Sequence, residues 1–170
     1  GVIKTVLRLE NQPIFNAAAA GLLVSSFFGV LTSWWGVSFA PRLPIFNMSV
    51  AILLTLPVGL YLIGLYKRVP TLIGVPVVFL VVYYLLTGRW ALTTVLEGTF
   101  MFFLLIMATE PKTTPLIDVQ EVVYALILGS LLAMLFVYRI AGEPYLVALL
   151  MVNFLFAIFK WVEVKVSMKG

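Results

Sequence analysis

The chain has 170 residues, 63% of them hydrophobic and 11% charged, with a mean hydropathy of +1.15. A water-soluble domain carries roughly a quarter charged residues, so part of the solvent is expected to be lipid. The composition reads as all-α, a polytopic transmembrane helical bundle forming one domain over residues 1–170. With no cysteine and no histidine, disulfides, iron–sulfur clusters, histidine-ligated haem and the usual zinc sites are excluded.

The net charge of +4 comes from lysines and arginines near span ends. It reads as lipid-headgroup contact, with no nucleic-acid partner. The polar opening GVIKTVLRLENQP starts with Gly and carries no signal-peptide pattern. It is expected to be an inter-span loop, which would make the chain the C-terminal part of a longer one.

About six spans are expected, with broken or re-entrant helix ends, since each needs about 20 mostly apolar residues. The first runs from Ile14 to Thr32 and the second from Ile45 to Tyr66. Asn16 opens the first, either as a helix N-cap or by presenting exposed N–H groups to a ligand. Ala17 to Ala20, Gly21, Ser25 and Gly29, then Gly59 and Gly64, allow close helix packing or the approach of a flat cofactor. Trp34 and Trp35, in the SWWGVSFAPRLP link, suit an interfacial belt.

The third span, Thr71 to Thr87, and the fourth, Ala91 to Thr109, are joined by the tight TGRW link. Pro57 and Pro76 fall inside spans and are expected to kink them. Glu97 lies about a turn and a half into the fourth span. Buried, it could carry a proton or pair a cation on an ion path; if the span starts later, it is interfacial.

MATEPKTTP ends the fourth span, and Pro111 turns Glu110 away from helical geometry. The stretch is either a solvated turn or unwound backbone whose Thr109, Thr113 and Thr114 hydroxyls bond an ion, a phosphate or a flavin edge. The fifth span runs from Val122 to Ile140 and carries Gly129 and Ser130. The sixth runs from Tyr145 to Val162. Between them Arg139 and Glu143 either complement helix dipoles or form a pair fixing the angle of the last two spans. Asn153, central in the sixth, is either interhelical glue or a ligand contact.

Counting cations by side gives eight (Lys4, Arg8, Lys67, Arg68, Lys112, Lys160, Lys165, Lys169) against three (Arg42, Arg89, Arg139). Both ends of the segment are therefore expected on the cytoplasmic side. No nucleotide loop, metal-ligand spacing or catalytic triad is present.

FMFFLLIMATEPKTTP, YALILGSLLAMLFVYRIAGEPY and LLMVNFLF, together with PIFNAAAAGLL, resemble the RnfD/NqrB family. These are membrane subunits of the Rnf complexes and of the sodium-pumping NADH:quinone reductase. The resemblance implies a cofactor-carrying or non-catalytic subunit of a membrane oxidoreductase that couples electron flow to Na⁺ or H⁺ movement. The implied flavin, FMN or riboflavin, would be cradled by Phe15, Asn16, Thr109, Glu110, Pro111, Thr113, Thr114, Pro115 and Asn153. The family's covalent-flavin pattern is absent, so non-covalent binding is expected. Glu97 and Glu110 are the ion-path candidates, and the implied partners are other membrane subunits or a soluble flavin or iron–sulfur reductase. The alternatives are a small-solute or ion transporter and a structural anchor for a soluble reductase.

Overall fold

The computed structural model describes residues 8–9, 12–13, 17–27, 57–61, 64–65, 68–109, 118–140 and 142–167. Phe15, Asn16, Glu110, Pro111, Thr113, Thr114 and Pro115 lie outside the described residues. A short antiparallel ladder pairs β1 (Arg8–Leu9) with β2 (Gln12–Pro13), Arg8 opposite Pro13. Apart from a few turn residues, the remaining described residues are helical: α1 (Ala17–Phe27), a stretch at 57–61, α2 (Val69–Thr87), α3 (Leu92–Val95), α4 (Gly98–Phe102), α5 (Asp118–Tyr138) and α6 (Pro144–Ser167).

Two helices among the described residues are long and apolar enough to cross a membrane, Val69–Thr87 with 19 residues and Val119–Tyr138 with 20. At the α-helical rise, 19 residues extend about 28 Å, close to the hydrocarbon thickness of a bilayer. Gly98–Ala108 and Pro144–Phe159 are shorter apolar helices.

α2 is apolar throughout, with Pro70 in its first turn, where the missing N–H is harmless. Pro76 falls inside it and withholds the donor that would reach the Leu72 carbonyl. Gly88, at φ 69°, stops it: its N–H reaches the Tyr84 carbonyl at 2.8 Å in a left-handed cap that favours glycine. Trp90 then stacks on Tyr84, ring centroids 4.5 Å apart.

The expected fourth span is not one continuous helix. Glu97 adopts extended geometry (φ −68°, ψ 142°) between α3 and α4, and Gly98 follows, so the helix restarts there. The chain then widens into a π-helical turn, Phe103–Ala108, before Thr109. Apolar content had suggested a single helix, but two threonines, an extended Glu and a glycine undercut helix propensity over residues 93–98.

The core is a stripe from each helix. Thr71, Val75 and Phe79 on α2 face Glu121, Tyr124, Ala125, Leu128 and Leu132 on α5. Arg68 meets Glu121, Gly74 meets Ala125, and Val75 and Val78 meet Gly129, so α2 and α5 run parallel. Tyr124 meets Asn153 and Phe156 while Phe136 meets Tyr145, so α5 and α6 are antiparallel. α1 packs on α6.

One ring from each of four helices closes the far end of the bundle. Phe79 lies 5.3 Å from Phe100 and 5.7 Å from Phe136, and Tyr145 lies 5.2 Å from Phe136 and 6.2 Å from Phe100. Such edge-on pairs contribute about 0.5–1.5 kcal/mol each beyond burial.

The faces turned outward are apolar too. Val69, Ile73, Val77, Val81 and Leu85 recur along the exposed side of α2, and Val119, Val122, Leu126 and Met134 along that of α5. A helix facing water would carry polar residues at those positions.

Candidate functional site

Among the described residues, the buried polar side chains Arg68, Thr71 and Glu121 lie at the N-terminal ends of the two parallel helices, Asn153 lies within α6, and Thr99 and Thr109 are buried elsewhere. Arg68 is the residue before the first turn of α2 and is 1% exposed; Glu121, in the first turn of α5, is 3% exposed. The Arg68 Nη1 donates to Glu121 Oε1, a buried ion pair across 53 residues of chain. Electrostatically, a carboxylate in the first turn of α5 suits the positive end of that helix. A guanidinium at the same end of α2 does not, and Glu121 offsets it.

One turn further in, Tyr124 of α5 donates its hydroxyl to Asn153 Oδ1 of α6 at 3.2 Å. Thr71 of α2 is fully buried and, by the register of Arg68 on Glu121 and Gly74 on Ala125, faces the same turn of α5. Neither Thr71 Oγ1 nor Asn153 Nδ2 has a hydrogen-bond partner among the described residues. Two contacts one turn apart on α5 make a polar layer: an ion pair to α2 and an amide–phenol bond to α6.

Of the residues that the sequence singled out, Asn153 belongs to this layer, as an interhelical bond partner. Thr109 is 4% exposed and donates its hydroxyl to the Leu105 carbonyl at 2.8 Å, which ties off the π-helical turn. Glu97 is exposed at the break before α4, so among the two positions open to it the structure has the uncovered one. Arg139 is exposed at φ 51°, the left-handed residue after α5, and Glu143 is half-buried, its carbonyl accepting the Val147 N–H at 3.1 Å. The ion pair formed among the described residues is Arg68–Glu121.

Arg68, Thr71, Glu121 and Tyr124 were not singled out by sequence. Arg68 reads as one of the eight cations at span ends, and Glu121 falls just before the expected fifth span. The available signal was periodic: Glu121, Tyr124 and Leu128 share one α5 face with Ala125, so the carboxylate points where the packing residues point.

Replacing Tyr124 by Phe removes the bond to Asn153 while keeping the ring on Phe156, 5.4 Å away. The expected loss is about 0.6–1 kcal/mol, the usual worth of such a bond between membrane helices. Unfolding in detergent measures it, and an unchanged stability would mean that the bond contributes nothing.

No family, curated protein or solved structure matches this chain in comparison.

Proposed function

We propose that this chain is a membrane-embedded subunit of an ion-translocating electron-transfer complex, similar to the RnfD/NqrB subunits. In this reading it has about six spans in the cytoplasmic membrane of a prokaryote, with both ends of the segment on the cytoplasmic side. The observation that carries the membrane part is an inversion: the outward faces of α2 and α5 are apolar, while an Arg–Glu pair and an amide lie inside. Ionisable groups in a lipid-facing bundle are costly, and they are retained where a charged or polar species must be accommodated. The electron-transfer part rests on the quoted sequence stretches.

The flavin that the resemblance implies would supply one- and two-electron chemistry when bound. Of its expected contacts, Thr109 and Asn153 are among the described residues. The Thr109 hydroxyl donates to the Leu105 carbonyl and keeps its acceptor capacity, and the Asn153 carbonyl accepts from Tyr124 while its Nδ2 keeps its donors. In this proposal a non-covalent FMN or riboflavin would be held by Phe15, Asn16, Thr109, Glu110, Pro111, Thr113, Thr114, Pro115 and Asn153. What the described residues do is separate: Arg68 and Glu121 hold opposite charges together inside the bundle, and Tyr124 orients Asn153.

The test is spectroscopic. The full-length protein purified in detergent is expected to carry a flavin absorption band or to retain added FMN or riboflavin. A colourless protein that retains neither removes the electron-transfer reading. The same polar layer would then favour a transporter of ions or small solutes, for which Glu121→Gln should change flux into liposomes.

A further inference from the structure

We infer that the link between α2 and α4, residues 89–97, lies flat in the headgroup boundary of a phospholipid bilayer, with Trp90, Leu92 and Leu96 turned into the lipid. Apolar content places the start of a crossing helix here, and the structure has a surface turn instead. α3 is one helical turn within the link: the Val95 and Leu96 amides donate to the Ala91 and Leu92 carbonyls at 3.3 and 3.1 Å. That geometry gives the link two sides. Ala91 and Val95, four residues apart, are 6% and 8% exposed and belong to the core of the bundle. Leu92 and Leu96, also four apart, are 55% and 56% exposed and face away from it.

Trp90 joins this outward side to the rest of the apolar surface. It is 58% exposed, and its ring stacks on Tyr84 of α2. Tyr84, Leu85 and Leu86 are themselves exposed near the end of α2, so the patch continues the apolar outer face of that helix. A continuous exposed patch of this kind marks a surface that something apolar covers. The charges say what covers it. Arg89 and Glu97, both exposed, stand at the two ends of the link, and no charged residue lies between them. A bilayer boundary suits both features: acyl chains meet the leucines, the indole takes an amphipathic position, and headgroups meet the two ends. One cation balances one carboxylate, so a zwitterionic lipid such as phosphatidylcholine suffices. The end of α2 sets the level, because its 19 residues already extend about the hydrocarbon thickness. The inference rests on the membrane part of the proposed function and is independent of the flavin.

Tryptophan quenching in vesicles tests it. Trp34→Phe/Trp35→Phe/Trp161→Phe leaves Trp90 as the remaining indole. The full chain is reconstituted into phosphatidylcholine vesicles with bromines either close to the headgroup or near the acyl-chain ends. Trp90 emission is expected to fall most with the shallow bromines and to resist aqueous iodide. Adding Leu92→Gln/Leu96→Gln should open it to iodide, and an unchanged response overturns the inference. So does any of three results in the triple variant. Quenching by iodide but not bromine puts the link in water, strongest quenching by deep bromines puts it across the bilayer, and quenching by none puts protein over it. Should the triple variant not fold, the difference between the parent and Trp90→Phe gives the same reading. Val77→Trp in the background lacking all four native tryptophans reports on the outer face of α2, where the deep bromines should quench most. If neither bromine reaches that indole, the membrane reading fails and takes the inference with it. If they reach it and not Trp90, the inference alone falls.

Discussion

Arg68→Met lowers stability by about 3–5 kcal/mol, because removing one partner of a buried ion pair leaves the other charge uncompensated. The Arg68→Met/Glu121→Leu protein recovers most of that loss. Burial is the cause: the two side chains are 1% and 3% exposed, so water cannot take over for the missing charge. A surface pair would be worth no more than about 1 kcal/mol, and its removal would pass almost unnoticed. Two apolar side chains in the same space would instead extend the stripe formed by Val75, Leu128 and Leu132. Denaturant titration in mixed micelles gives the three values. If the double variant is as unstable as the single one, the pair is holding something besides its own charges.

Gly74→Ala is the second large effect, at about 1–3 kcal/mol for overpacking a tight contact. A methyl group there would lie 2.7 Å from the Ala125 Cβ, a distance that real side chains do not reach. The remedy is specific: Ala125→Gly in the same chain vacates the space and restores the helix spacing. Gly129→Ala should be as harmful, since its Cβ would stand 2.8 Å from the Val75 carbonyl oxygen. No single side-chain deletion relieves that contact, because the obstacle is backbone. Gly21, in α1, has nothing within 4 Å of its added Cβ, so Gly21→Ala is the internal control and should be neutral or mildly stabilising. Should Gly74→Ala and Gly21→Ala behave alike, the parallel packing of α2 on α5 is wrong.

The third and fifth apolar runs were legible because helix length and hydropathy are local properties. Thr71 to Thr87 and Val122 to Ile140 differ from α2 (Val69–Thr87) and α5 (Asp118–Tyr138) by a few residues at the ends. The sixth helix runs on to Ser167, past the expected Val162, into residues where the apolar count falls. The break at Glu97 was not legible. Hydropathy averages over a window, whereas the break depends on one residue's ψ angle.

The polar layer was half legible. Asn153 stands out because an amide in LLMVNFLF has no local reason to exist. Its partner, 29 residues earlier, looks like an ordinary tyrosine in an apolar run. Arg68 and Glu121 each sit beside a polar link, and at that position a cation or carboxylate normally faces water. Only the parallel alignment of α2 and α5, a long-range property, brings the two together. Gly74 was passed over for the same reason: a lone glycine among valines declares nothing until Ala125 is opposite.

The four rings Phe79, Phe100, Phe136 and Tyr145 come one each from α2, α4, α5 and α6. None of these helices can detach without prising open a neighbour's ring contact, so the four should be lost together on heating, as a single cooperative block. Among the described residues, the stronger helix contacts of the α1 segment are with α6. Amide exchange would then show two classes of protection, with the thin attachment of α1 giving way first.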